Sequence, residues 1–130
     1  HLIGDEVLRE LTQLLGEDLR YADCLARYGG EEFVLMLPHT NREQAWVLAE
    51  RLRRKVAAFN FCSGRLQKQV SISIGLVVCA AHPGLEAEEM VKQADIALYQ
   101  AKNRGRNCTV EAQGKLIPAQ PAMFLQSVSA

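Results

Sequence analysis

The sequence predicts a single α/β domain, in which helices pack on a mostly antiparallel β-sheet. Its 130 residues suit one domain with a sizeable core. Apolar residues alternate with small polar ones from Val70 to Val78, which indicates a strand. Two further apolar runs flank Gly29-Gly30 and indicate a hairpin, and three helical patterns are interspersed with these strands.

The first half of the chain predicts a helix, a hairpin and a second helix. Residues 4–15 form an amphipathic pattern that ends at Gly16. Residues 24–27 and 33–37 are the hairpin strands, joined by a tight glycine turn. Thr40 is the expected N-cap of the second helix, because Glu43 follows three residues later as in a capping box. This helix is expected to end near residue 58.

The second half predicts a strand over 69–80, a helix over 86–102 and a short strand over 107–110. Gly105 is the expected residue just beyond the end of the third helix. Residues 1–112 are taken as the folded domain. Residues 113–130 contain two prolines and have no clear periodicity, so we expect a loosely ordered tail.

Charge and cysteine content argue against several classes of function. Fifteen basic residues balance fifteen acidic ones, which disfavours nucleic acid as a partner. The four cysteines form no zinc or C-x-x-C spacing, so reduced thiols are expected, with Cys24 and Cys79 buried. There is no signal peptide or membrane-spanning apolar run, so we predict a cytoplasmic domain and leave a membrane tether of its parent protein open. Tyr28, Trp46 and Tyr99 are interpreted as packing residues.

The hairpin sequence Arg27-Tyr28-Gly29-Gly30-Glu31-Glu32-Phe33 carries the strongest indication of chemistry. Glycines let a bulky ligand lie close to the backbone. Carboxylates beside such a turn suit Mg²⁺ bound to a nucleotide triphosphate, because Mg²⁺ takes one or two carboxylates together with phosphate oxygens. Solvated glutamates at the tip of a plain hairpin are the alternative.

This hairpin resembles the signature turn of the GGDEF family of diguanylate cyclases, in its Gly-Gly-Glu-Glu-Phe form. Other segments resemble the family at matching separations, namely His1-x-x-Gly4-Asp5, Arg20-x-x-Asp23, Leu37-Pro38, 49–53, 71–75, 94–102 and Gly105-Arg106-Asn107. The resemblance implies a nucleotidyl-cyclase or palm-like fold. It also implies that two GTP molecules condense to cyclic di-GMP and pyrophosphate at the interface of a homodimer.

The resemblance also implies roles for individual residues. Glu31 binds Mg²⁺ or Mn²⁺ and takes the proton of the attacking 3′-hydroxyl, and Glu32 assists at the metal. Gly29 and Gly30 give clearance for the nucleotide. His1 and Asp5 hold the guanine and its sugar, with a frayed terminus and a first-turn helix acid as the alternatives. Lys102 and Arg106 contact phosphates, with a role as cations at a helix C-terminus as the alternative.

A second site is implied away from the hairpin. Arg20 and Asp23, with Arg51 from the following helix, resemble the site at which cyclic di-GMP inhibits some family members. The alternative is a surface ion pair of little energetic weight.

The sequence departs from the family pattern at its N-terminal end. Family members carry an upstream segment before the position of His1 that forms a central strand and supplies a further metal-binding aspartate. We therefore expect an N-terminally truncated domain whose activity by itself is open, in a parent protein with an upstream sensory domain. Two other readings remain, a non-catalytic sensor that binds cyclic di-GMP and a dimerisation module without a ligand.

Overall fold

The computed structural model describes residues 4–67, 69–78 and 86–112, and the backbone of 122–129. Its elements are α1 (Asp5–Gly16), β1 (Cys24–Gly29), β2 (Glu32–Leu37), α2 (Arg42–Ala58), a short 3-10 helix (Phe61–Gly64), β3 (Ser71–Val78), α3 (Ala87–Asn103), β4 (Thr109–Glu111) and β5 (Ala122–Ser129). The α/β class and the predicted order of elements are confirmed up to β4.

The strands form one sheet in the order β1-β2-β5-β3-β4. All neighbouring pairs are antiparallel except β3 and β4, so the prediction of a mostly antiparallel sheet is confirmed. Helices cover both faces. Leu11 of α1 and Leu52 of α2 pack with Ile74 on one face, whereas Leu98 of α3 packs with Val77 on the other. The third strand is therefore buried on both sides, and the backbone of α3 lies closest to it at Gly75.

The prediction of a loose tail is wrong for Ala122–Ser129, which form β5 in the centre of the sheet. This strand pairs with β2 from Ala122 to Ser127 and with β3 along its whole length. The segment has little local periodicity, but its backbone forms hydrogen bonds with β2 on one side and with β3 on the other. Residues 113–121 and 130 lie outside the described residues.

The N-cap of α2 also differs from the prediction. Asn41 accepts from the Gln44 backbone N–H at 2.8 Å, and the Gln44 side chain accepts from the Asn41 N–H at 3.0 Å. The capping box therefore begins one residue later than expected. Thr40 is buried and instead donates to the Pro38 carbonyl at 3.0 Å and accepts from Arg20 at 2.5 Å.

Three aromatic side chains that were interpreted as packing residues are exposed instead. Tyr28, Trp46 and Tyr99 are 62%, 39% and 67% exposed. Cys24 is also exposed, because β1 is an edge strand whose residues are mostly exposed. Cys24, Cys62 and Cys108 are free thiols, and Cys79 lies outside the described residues. None of the helices in the described ranges is long and apolar enough to span a bilayer.

Candidate active site

The glycine hairpin joins β1 and β2 through a two-residue loop. Gly29 pairs with Glu32, so the loop itself consists of Gly30 and Glu31. Gly30 has φ +53°, a conformation that glycine adopts readily, and its carbonyl accepts from Arg27 Nε at 2.8 Å. A Cβ added at Gly29 or Gly30 would meet no atom within 4 Å, so a ligand has room against this backbone. Glu31 thus lies in the loop, and Glu32 is the first residue of β2.

The last turn of α3 lies beside this hairpin. Lys102 Nζ is 3.9 Å from Glu32 Oε2, and both side chains are partly exposed. Helix α3 ends at Asn103, and the chain then turns through Gly105 to Arg106, which is exposed. The fold therefore brings together Glu32 and Lys102, which are 70 residues apart in the sequence. A cation beside a carboxylate at an open turn is suited to a phosphate and its metal ion.

A small cleft of about 360 Å³ lies between α1 and the hairpin strands. Asp5 and Arg27 are among the residues that line it. Asp5 is exposed in the first turn of α1, without a side-chain cap on that helix. The structure therefore places Asp5 near the hairpin strands, whereas His1 lies outside the described residues.

The hairpin fits part of a divalent metal site. Glu31 and Glu32 are consecutive and partly exposed. Carboxylate oxygens are the ligands that Mg²⁺ and Mn²⁺ prefer. Because Mg²⁺ is usually held by one or two carboxylates plus substrate phosphates, two carboxylates at this turn suit an ion that arrives with a nucleotide.

Arg20, Asp23 and Arg51 line one cleft of about 450 Å³. The Asp23 side chain is only 1% exposed and accepts from Arg20 Nη2 at 3.0 Å and from the Arg20 N–H at 2.7 Å. The Arg20 guanidinium also donates to the Pro38 carbonyl at 2.8 Å and to Thr40. An isolated surface ion pair would not be tied to the backbone in this way, so the pair is preorganised at the cleft.

A network that the sequence interpretation missed connects α2 to the segment after α3. Arg53 makes a two-pronged ion pair with Glu50, in which both N···O distances are 2.9 Å. This hydrogen bonding holds the pKa of the Glu50 carboxyl below its usual range, with burial acting in the opposite direction and Thr109 assisting. The same ion pair raises the pKa of the Arg53 guanidinium. The spacing of Glu50 and Arg53 is visible in the sequence, but their distant partners are not.

The lowered pKa of Glu50 predicts an acid-sensitive contribution to stability. The ionised form is favoured in the folded state, so this contribution is present above the ordinary glutamate pKa of about 4.3 and is lost as pH falls through the lower folded pKa. We expect Glu50→Gln to reduce the free energy of unfolding by about 1.5–3 kcal/mol at pH 7. Urea unfolding of both forms between pH 7 and pH 3 measures this difference, which should shrink towards acid. A difference independent of pH would contradict it.

Comparisons with known proteins identify the class to which this α/β domain with an acidic glycine hairpin belongs. A sequence model described as "Diguanylate cyclase, GGDEF domain" matches residues 1–108. The chain therefore belongs to the GGDEF domain family of diguanylate cyclases. Cyclases of this family generally use a divalent metal ion.

Individual relatives and a solved structure are similar to the chain. The response regulator PleD of Caulobacter vibrioides is 46% identical over 112 residues, which is 85% of this chain and 24% of the relative. Diguanylate cyclase A of Treponema denticola is 42% identical over 108 residues, or 82% of this chain and 29% of the relative. The active GGEEF domain of a diguanylate cyclase from Vibrio cholerae superposes with a TM-score of 0.70 at 28% identity, over 85% of this chain and 69% of that one. The chain thus spans 24% and 29% of the length of these two curated relatives.

Proposed function

We propose that this chain is the catalytic domain of a diguanylate cyclase, which condenses two GTP molecules to cyclic di-GMP and releases pyrophosphate. One observation supports this most directly. Lys102 Nζ lies 3.9 Å from Glu32 on the glycine hairpin, so a cation suited to phosphate and a carboxylate suited to a metal ion meet at an open turn. Membership of the GGDEF family adds to this support.

Each residue of the site has a role in the proposed reaction. Glu31 and Glu32 hold Mg²⁺ or Mn²⁺, and the ion when bound neutralises phosphate charge and favours ionisation of a hydroxyl. Glu31 accepts the proton of the attacking 3′-hydroxyl. Lys102 and Arg106 bind the phosphates, since ammonium and guanidinium groups pair with phosphate oxygens. Asp5, with His1, holds the guanine, whose N–H groups a carboxylate accepts.

The proposed reaction requires two copies of the chain. Each subunit holds one GTP, and each 3′-hydroxyl attacks the α-phosphate of the nucleotide in the other subunit. We propose that the homodimer assembles in the cytoplasm under the control of an upstream sensory domain, without nucleic acid as a partner. The similarity to the response regulator PleD supports a regulated setting of this kind.

The test is Mg²⁺-dependent conversion of GTP to cyclic di-GMP, measured in parallel for the 130-residue chain and for the full-length natural protein. Product from the full-length protein supports the cyclase, whether or not the shorter chain is active. Product from neither form, with cyclic di-GMP still bound, would instead support the non-catalytic sensor. The cleft lined by Arg20, Asp23 and Arg51 is the observation that favours this second candidate.

We propose that this cleft binds cyclic di-GMP as an inhibitor. Arg20→Ala is expected to weaken cyclic di-GMP binding at least about tenfold, because a guanidinium hydrogen bond to phosphate or guanine is worth roughly 1.5–3 kcal/mol. The affinity is measured by calorimetry, together with inhibition of GTP turnover by added product.

Two variants complete the product-binding experiment. Arg51→Ala should weaken binding in the same direction without removing the Arg20–Asp23 pair. Arg54→Ala is the matched control, because Arg54 lies on the same helix, is 73% exposed in its side chain and does not line the cleft. Unchanged affinity in both Arg20→Ala and Arg51→Ala would remove this site from consideration.

A further inference from the structure

The loop that follows α3 has an unusual backbone. Gly105, Arg106 and Asn107 have φ values of +110°, +66° and +47°. A side chain in the left-handed region is costly, and two consecutive non-glycine residues persist there only when their surroundings hold them. The position of the Arg106 side chain therefore depends on the hydrogen bonds that hold the backbone of residues 105–107 in this conformation.

One group of hydrogen bonds to the loop comes from α3 and the sheet. The Arg106 N–H donates to the Ala101 carbonyl at 3.1 Å, which continues the end of α3. The Asn107 N–H donates to Ser73 Oγ at 3.1 Å, and Ser73 is fully buried in β3. These bonds hold the backbone of the loop from one side.

A second group of hydrogen bonds to this loop comes from α2 and involves Glu50 and Arg53. Arg53 Nη1 donates to Asn107 Oδ1 at 3.1 Å and approaches the Asn107 carbonyl at 3.4 Å. Thr109 Oγ1, at the start of β4, donates to Glu50 Oε2 at 2.9 Å. Asn107 in the loop and Thr109 two residues later are thus bound by the two partners of one ion pair.

The ion pair itself is two-pronged and largely shielded from solvent. Both side chains are 18% exposed, and the guanidinium of Arg53 binds Glu50 through Nε and Nη2 while Nη1 remains directed at Asn107. Only a planar guanidinium can bind a carboxylate with two nitrogens and a third partner with another nitrogen at fixed angles. Exposed surface pairs contribute little, but a shielded two-pronged pair fixes geometry.

We propose that the Glu50–Arg53 pair is a positioning device for Arg106, which sets the loop so that this guanidinium meets the nucleotide phosphate. The inference rests on the proposed cyclase function. Glu50 and Arg53 act through Thr109 and Asn107 and do not touch the nucleotide, so they are positioning residues. A displacement of about 1 Å in a bound substrate or its contacts can reduce a rate roughly 100-fold, so loss of this positioning is expected to lower kcat/KM.

The test compares Arg53→Lys with the wild type in the full-length natural protein. Lysine keeps the charge but cannot reproduce the fork to Glu50 together with the bond to Asn107. We expect kcat/KM for GTP to fall roughly 10- to 100-fold, with most of the loss in KM, in a protein whose circular dichroism shows that it is folded. Arg54→Lys is the matched control. Arg54 Nη2 is 3.9 Å from Glu50 Oε1, and the Arg54 side chain is 73% exposed. Equal effects of the two substitutions would overturn the proposal.

A double-mutant cycle separates positioning from a general structural effect. In an Arg106→Ala background, Arg53→Lys should cause almost no further loss, because the residue that it positions is already absent. If the fold-loss in the double variant equals the product of the fold-losses in the two single variants, the proposal is overturned. The same cycle, run on the dissociation constant of GTP with Mg²⁺, needs no turnover. Failure of the cyclase reaction and failure of the positioning role are therefore separate results.

Asn107→Gly is a second variant in case Arg53→Lys does not fold. Glycine adopts the left-handed backbone without strain, so the loop can still form, but the side-chain oxygen that Arg53 Nη1 binds at 3.1 Å is removed. We expect the same roughly tenfold or greater loss in kcat/KM and the same lack of further loss with Arg106→Ala. Wild-type kinetics in Asn107→Gly would overturn the proposal.

Discussion

Glu31→Ala is expected to reduce cyclic di-GMP formation by a factor of roughly 100 to 10,000 while leaving the domain folded. The substitution removes the carboxylate that is proposed both to bind the metal ion and to accept the 3′-hydroxyl proton. The hairpin should survive, because its register is set by backbone pairing of Gly29 with Glu32 and by the bond from Arg27 to the Gly30 carbonyl. The measurement is the initial rate of product formation from GTP with Mg²⁺ in the full-length natural protein, with circular dichroism to confirm the fold.

Two controls sharpen the Glu31 experiment. Glu31→Gln keeps the size and polarity of the side chain and removes only its charge, so it should be nearly as inactive as Glu31→Ala. Glu88→Ala removes an exposed glutamate from the first turn of α3, away from the hairpin, and should leave the rate unchanged. Full turnover in Glu31→Ala would show that the assignment of this residue is wrong, whereas equal losses in Glu31→Ala and Glu88→Ala would point to a general effect.

Gly75→Ala is expected to lower the free energy of unfolding by about 3 kcal/mol. A Cβ at this position of β3 would collide with the carbonyl oxygen of Ala94 and lie 2.5 Å from the backbone nitrogen of Leu98. Both atoms belong to the backbone of α3, so relief requires the whole helix to move away from the sheet. Such a movement would also disturb the packing of Val77 with Met90 and Leu98.

Urea unfolding of Gly75→Ala and wild type measures this effect, and Gly16→Ala is the matched control. Gly16 is the last residue of α1, and a Cβ there would meet no atom within 4 Å. Its replacement should be neutral or stabilise by up to about 1 kcal/mol, because alanine has less freedom in the unfolded chain. Equal stabilities of the two variants would contradict the close approach of α3 to β3.

Interpretation of the sequence came nearest to the structure where the relevant interactions are local. The helix over residues 4–15 is α1 (Asp5–Gly16), because its apolar residues recur with the period of a helix. Gly105 has the positive φ that was expected of a residue just beyond a helix. The hairpin strands begin and end within two residues of their predicted limits, because glycine is the residue that such a tight turn requires.

The sequence by itself determined the class of fold, the order of elements up to β4 and the family, since these depend on periodicity and on short motifs whose residues are adjacent. Only the tertiary structure decided which distant side chains meet. It joined Thr40 to Arg20, Lys102 to Glu32, and Arg53 to Asn107. It also inserted β5 between β2 and β3. The physical reason is that these contacts are favourable only after the sheet has assembled, so no local pattern in the chain encodes them.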